Sequence, residues 1–277
     1  PLARPRGAAG ARPASRRGAA RGFQFKPGAS FGGVAYSAVL GEDQHGWFTS
    51  NAHSLFDWSV IGAGGEHLLP AGGADPLAIA EGPDGAVWFT AGAAVGRMSV
   101  RGDAQLFPAP DGRPSAGIAA GADGALWYTE EGLDRIARVT TSGTVTEFSL
   151  PPAPQKVQCG GWCPSAIESG PDGALWFAES QLAGGGGIGR ITADGTVTHW
   201  RVPGVAPNSV ATGPDGAVWV GEDRADQVGG ITPQGEVTGQ PITGADVDTR
   251  GVAAAGAGAR VAGAAASWGG GGGGAVG

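Results

Sequence analysis

The chain has 277 residues, with 55 glycines, 20 prolines and 41% apolar residues, enough for one large, turn-dense domain with a sizeable core. No run of about 18 apolar residues occurs, which argues against a membrane-spanning helix. The net charge is −7, and an acidic body argues against nucleic acid as the main partner.

Charge is unevenly placed along the chain. Residues 1–22 hold six arginines (Arg4, Arg6, Arg12, Arg16, Arg17, Arg21) and no acid, so taking these six charges from the net −7 leaves −13 for the remainder. This arm has no apolar stretch of the kind a secretory signal carries. It reads as a disordered Arg-rich segment and names no compartment. Residues 23–268 read as the folded domain, and residues 269–277 as a glycine-rich tail that opens on an unbroken run from Gly269 to Gly274.

The domain is built on a repeat. Gly170-Pro171-Asp172-Gly173-Ala174-Leu175-Trp176-Phe177-Ala178-Glu179 has close copies at 82–91, 121–130 and 213–222, and a degraded one at 41–50. Its tryptophans, Trp47, Trp88, Trp127, Trp176 and Trp219, are spaced by 41, 39, 49 and 43 residues. A repeat at this period is to be read before anything else.

Each unit holds four short segments: a small apolar one (Gly117-Ile118-Ala119-Ala120), an Asp-Gly turn, an aromatic one (Leu126-Trp127-Tyr128-Thr129), a third such as Val95-Gly96-Arg97-Met98, a second turn, and a fourth such as Val145-Thr146-Glu147-Phe148. Short β-branched or alternating runs joined by Asp-Gly turns are hairpins. Four antiparallel strands in about 40 residues make a β-propeller blade. The fold class is therefore all-β, a propeller in which the repeated tryptophan is a core wedge.

Phe23-Gln24-Phe25-Lys26-Pro27 reads as a fourth strand whose earlier strands are absent. Full units follow at 34–70, 75–108, 114–151, 164–203 and 207–242, and a sixth starts at Asp248-Thr249-Arg250-Gly251-Val252. Between the third and fourth lies an insertion, Gln155 to Cys163, with the only two cysteines, Cys159 and Cys163. They read as a small disulfide of an oxidising compartment or as inert thiols, since two thiols are too few for zinc.

Glu130, Glu179 and Glu222 end the aromatic strands. They read either as a ring of oxygen ligands for Mg²⁺ or Ca²⁺, or as partners of neighbouring cations such as Arg135 and Arg224. Asn208 and Asp248 would add to a metal site, and Arg250 could clamp an anion.

The clean units, Gly-Pro-Asp-Gly-Ala-Leu-Trp-Phe-Ala-Glu followed by Ile-Gly-Arg-Ile-Thr-x-Asp-Gly-x-Val-Thr, resemble virginiamycin B lyase and its relatives, from about residue 30 to 265. The resemblance implies a seven-bladed propeller, of which six blades are recognisable here. It also implies a carbon–oxygen lyase of antibiotic resistance, which opens the ester ring of streptogramin B depsipeptides with Mg²⁺ and a histidine base. In that family a His stands two residues before the first strand, within Glu-x-His, and a Glu ends the second strand 14 residues later. The matching positions here are Asn208 for a His one blade earlier, Asp248-Thr249-Arg250 for Glu-x-His, and Ala264 for the terminal Glu, so all four groups are replaced.

Three readings follow. The first is a lyase-like propeller with changed chemistry at Asn208, Asp248 and Arg250, binding a small cyclic depsipeptide as a monomer. The second is a non-catalytic propeller that presents one face to a peptide, glycan or protein. The third is a metal-dependent, lactonase-like hydrolase with a cage of Glu179, Asn208 and Asp248.

Overall fold

A computed structural model describes residues 35–50, 54–59, 64–70, 74–110, 114, 117–152, 163–179, 185–203, 207–213, 216–222, 227–232, 235–241, 251–255 and 258–262. The Arg-rich arm, the segment 23–27 and the glycine-rich tail lie outside these residues.

Five four-stranded antiparallel sheets follow one another along the chain, each meandering in sequence order. Blade 1 holds β1 (Ala35–Leu40), β2 (His45–Ser50), β3 (Ser54–Ser59) and β4 (Gly64–Leu68). Blade 2 holds β5 (Pro76–Glu81), β6 (Val87–Ala91), β7 (Ala94–Met98) and β8 (Ala104–Pro108). Blade 3 holds β9 (Ile118–Ala120), β10 (Ala125–Glu130), β11 (Arg135–Thr140) and β12 (Val145–Ser149), with a 3-10 turn at Glu131–Leu133. Blade 4 holds β13 (Pro164–Ser169), β14 (Leu175–Glu179), β15 (Gly185–Ile191) and β16 (Val197–Pro203). Blade 5 holds β17 (Pro207–Thr212), β18 (Val218–Glu222), β19 (Gln227–Ile231) and β20 (Val237–Pro241). A sixth sheet pairs β21 (Gly251–Ala255) with β22 (Gly258–Ala262).

The first strands of successive sheets pack side by side, β1 on β5, β5 on β9, β9 on β13, β13 on β17 and β17 on β21. That is the inner ring of a propeller. The second strands of blades 2, 3 and 4 are buried on both faces, because alternation sends Trp to one face and the following aromatic to the other. Trp127, Ile136 and Leu150 of blade 3 thus share a core with Ile167, Leu175 and Phe177 of blade 4. Trp176 and Ile188 share the next with Val218, Val220 and Ile231. Trp47, Trp88, Trp127 and Trp176 each wedge their own blade against the following one, and truncating such a residue to alanine costs about 3–5 kcal/mol.

The Asp-Gly turn explains why the motif recurs. Its Asp takes the indole N–H on one oxygen and an arginine from the third strand on the other. Trp127 Nε1 donates to Asp123 Oδ1 at 3.1 Å, and Arg138 Nε to Asp123 Oδ2 at 2.5 Å. Asp84 does the same for Trp88 and Arg97, and Asp172 for Trp176 and Arg190. The turn glycines Gly85, Gly124 and Gly173 have φ of 71°, 75° and 78°, a backbone region open to glycine at little cost. In blade 1 that place is taken by Gln44, with φ 62°, which is why the first copy of the motif looks degraded.

Candidate functional site

The side chains of interest cluster where the first strand of a blade begins and its second strand ends. Register sets Pro164 opposite Glu179, Pro207 opposite Glu222, Pro76 opposite Ala91 and Ala35 opposite Ser50. In each pair the register shifts immediately afterwards. The position that holds the family histidine by resemblance, here Tyr36, Leu77, Ser165 or Asn208, therefore falls in a β-bulge. A bulge leaves one residue out of the ladder and re-aims its side chain, and Leu77 is 38% exposed despite being apolar. Ser165 and Asn208, at the same place in blades 4 and 5, are half-buried.

Threonines of the preceding blade pin two of these bulges. Thr49 Oγ1 donates to Leu77 O at 2.9 Å, and Thr129 Oγ1 to Ser165 O at 2.6 Å. The corresponding residue before Asn208 is Ala178, which has no hydroxyl to give. Asn208 Oδ1 and Ser209 Oγ are buried and make no hydrogen bond among the described residues.

The carboxylates expected to ring the mouth are turned elsewhere. Glu130 is fully buried and takes Arg135 Nε at 2.9 Å, while Arg135 Nη1 reaches Glu147 on β12 at 3.1 Å. The reading of this Glu as a partner of Arg135 is the one that the geometry supports. Burial together with Glu130 and Glu147 pushes the Tyr128 phenol well above its ordinary value.

In blade 4 Glu179, also fully buried, lies with Oε1 2.6 Å from His199 Nδ1. His199 is on the outer strand, two strands away, and reaches Glu179 because Gly187 and Gly189 leave β15 bare between them. A Cβ at Gly189 would stand 2.1 Å from the Phe177 ring, and His199 meets that ring edge-on. Burial raises the Glu179 carboxyl above its ordinary value; His199 opposes that shift and Asp134 adds to it. Both ring nitrogens of His199 are buried, so the imidazole is not presented to a ligand.

Both carboxylates thus point outward along their own blades. Among the described residues no group of three His, Cys, Asp or Glu side chains is placed to hold a metal ion. Glu130 and Glu179 do not suit the Mg²⁺ that the resemblance implies, and no chemical step is derived through it. Glu222 ends β18 at the matching place, and nothing further is described of its side chain. Asp248, Arg250 and Cys159 lie outside the described residues.

Cys163, at φ 54°, is disulfide-bonded and donates its amide to Asp134 Oδ1 at 3.0 Å. Asp134, itself at φ 48°, also accepts Leu150 N through its carbonyl at 2.9 Å. The loop after β10 therefore fixes the start of blade 4.

The repeat has known counterparts. Over residues 27–261 the sequence matches the profile of the Virginiamycin B lyase family. The chain belongs to this family. Among solved structures, the chain is similar to a catalytically inactive histidine-to-alanine variant of virginiamycin B lyase from Staphylococcus aureus with quinupristin. Identity is 30%, with 84% of this chain and 78% of that one covered and a TM-score of 0.76. Selenomethionine-substituted virginiamycin B lyase from the same organism matches at 31% identity, covering 82% and 76%, with a TM-score of 0.73. A streptogramin B lyase structure matches at 30%, covering 79% and 72%, with a TM-score of 0.71. A search of curated protein sequences finds no match.

Sequence reasoning missed two features of this lyase-family propeller. One is the contact of His199 with Glu179 across a strand; its signal was the glycine-rich third strand opposite a histidine. The other is the β-bulge at each rim position.

Proposed function

We propose that this virginiamycin B lyase-like propeller binds a cyclic depsipeptide of the streptogramin B kind on its bulged rim and does not open the ring by the family's histidine-driven elimination. The observation that carries this reading is the rim itself. A bulge recurs at this rim position in blades 1, 2, 4 and 5, where Tyr36, Leu77, Ser165 and Asn208 stand in place of histidine.

Asparagine offers an amide to hydrogen-bond a ligand carbonyl or N–H but has no proton to exchange near neutral pH. Arg250, at the matching position of the sixth unit, carries a permanent positive charge and cannot act as an ordinary base. The S. aureus relative supports a separation of binding from turnover, since a catalytically inactive histidine variant forms a structure with quinupristin.

Calorimetric titration of the whole chain with quinupristin, with and without Mg²⁺, is paired with mass-spectrometric assay of the ligand after long incubation. Saturable binding with the ring intact is the expected result. A ring-opened product would overturn the loss of elimination, and absence of binding would overturn the ligand class.

A further inference from the structure

Blade 1 departs from the clasp that blades 2, 3 and 4 share. In blades 2, 3 and 4 an arginine on the third strand neutralises the turn Asp beside the tryptophan. In blade 1 the residue paired with Trp47 on the third strand is Asp57, so the arginine is replaced by a second acid. Trp47 Nε1 donates weakly to Asp43, at 3.3 and 3.4 Å.

The cations come instead from histidines. His45 Nδ1 lies 2.6 Å from Asp57 Oδ2 and 4.0 Å from Asp43 Oδ2, and His67 Nε2 lies 2.9 Å from Asp57 Oδ1. The Gly65 amide adds a third bond to Asp57 at 2.8 Å. His67 also fills the place that aromatic residues hold in other blades. It stacks on Trp47 with centroids 5.1 Å apart, as Phe107 does on Trp88 and Phe148 on Trp127. Its far edge abuts the turn of the next blade, where a Cβ at Gly102 would stand 2.5 Å from His67 Nδ1. The cluster therefore sits in the seam between blades 1 and 2.

We propose that His45, Asp57 and His67 form a proton-operated clasp that tightens the seam between blades 1 and 2 when the imidazoles are charged and loosens it when they are neutral. Histidine is the side chain whose charge changes between about pH 5 and 8. With both rings protonated, Asp43 and Asp57 are balanced, as an arginine balances the turn Asp of blades 2, 3 and 4. With both neutral, the Asp43 and Asp57 carboxylates beside His45 are left without a counter-charge, and Glu42 in the same turn, Glu66 next to His67 in sequence and Glu81 at the end of β5 add further negative charge. Glu81 already titrates above its ordinary value through burial and through Glu42 and Asp43. Arg101 and Asp103 flank Gly102 and carry opposite charges.

Two further effects act in the same direction. A charged imidazole over the Trp47 face gains a cation–π attraction that a neutral ring lacks. Burial pushes the Asp57 carboxyl up, but the bonds from His45, His67 and Gly65 outweigh it and hold the group below its ordinary value, so it stays ionised throughout the histidine range.

Hydrogen–deuterium exchange of the whole chain between about pH 5.5 and about pH 8, corrected for intrinsic rates, tests the clasp. Exchange in peptides covering β2 and β4 is expected to rise about tenfold towards high pH, while β10–β12 change less than about twofold. The variant His45→Ala/Asp57→Arg/His67→Phe gives blade 1 the residues found at these places in blades 2 and 3, and is expected to lose the response. His45→Gln, a smaller change, is expected to weaken it and serves if the triple variant does not fold. Equal exchange of blades 1 and 3 across the range would overturn the proposal, and so would an undiminished response in whichever variant folds.

Discussion

His199 Nδ1 lies 2.6 Å from Glu179 Oε1, although the two residues stand on β16 and β14, with β15 between them. The equivalent residues of blade 3 are Glu147 and Glu130, with Arg135 on the middle strand linking both. Blade 4 has exchanged the central arginine for Gly187 and the outer glutamate for a histidine. One buried carboxylate is given a partner in both blades, by different residues. This reading makes Glu179 a structural acid and explains why it does not face a ligand.

Removing the imidazole alone leaves a buried carboxylate without its partner. His199→Ala is expected to lower stability by about 3 kcal/mol at neutral pH. Glu179 is raised by burial, and a carboxyl with a raised folded value stabilises the folded state at low pH. That contribution is lost as pH climbs from the ordinary glutamate range through the raised value. His199 is what limits the rise, so the cost of His199→Ala should be small near about pH 4 and largest above about pH 7. The double variant His199→Glu/Gly187→Arg, which copies blade 3, should recover most of the loss. Urea melts at the two pH values check both expectations.

The turn aspartates carry the opposite sign. Burial pushes the Asp123 carboxyl up, but the bonds from Arg138, Trp127 and the Ala125 amide outweigh it and hold it below its ordinary value. Asp84 and Asp172 are lowered in the same way. The stability these groups supply is fully present above the ordinary aspartate value and lost as pH falls through the depressed one. Asp123→Asn keeps the indole bond and removes the charge, so it should cost about 1.5 kcal/mol at neutral pH. The difference from the parent should vanish below about pH 3, which acid titration of the melting temperature measures.

Much of the fold was legible because its determinants are local. Asp172 and Gly173 form a turn that needs no distant partner, and Trp176 recurs at blade spacing because each blade needs one wedge. The partnership of Glu130 with Arg135 was also within reach, five residues apart on neighbouring strands. The contact of Glu179 with His199 was not. It depends on what β15 lacks, and on the outer strand folding back over glycine. Cluster formation by His45 and His67 was hidden for a related reason: the two stand on β2 and β4, and Asp57 joins them only once β3 is paired between those strands.

Glycine substitutions separate backbone strain from crowding. Gly124 has φ 75°, and nothing stands within 4 Å of the Cβ an alanine would add. Gly124→Ala therefore reports the left-handed backbone alone, at about 1–2 kcal/mol. Gly143 has φ 91°, and a Cβ there would stand 2.2 Å from Phe107 of the preceding blade. Gly143→Ala carries the same strain and a collision with a ring stacked on Trp88, so it should cost at least about 1 kcal/mol more than Gly124→Ala. Parallel thermal melts of the two variants decide this, and equal losses would mean that the seam between blades 2 and 3 yields easily.

The last expectation concerns the rim. If the bulge presents whatever side chain it holds, the missing chemistry is a matter of residue identity and not of backbone. Asn208 lies in the β17 bulge next to the Pro207–Glu222 pair, so Asn208→His would place an imidazole where the family resemblance puts one. That change alone should give no turnover, because groups that act as a unit lose most of their effect when any one is missing. The set Asn208→His/Asp248→Glu/Arg250→His/Ala264→Glu restores every replaced position and should yield ring-opened quinupristin in the presence of Mg²⁺. Asn208→His by itself should bind quinupristin and leave it intact. Turnover by the single variant would show that one histidine suffices on this rim. Failure of the complete set, with binding preserved, would show that the rim of this propeller has also drifted in shape.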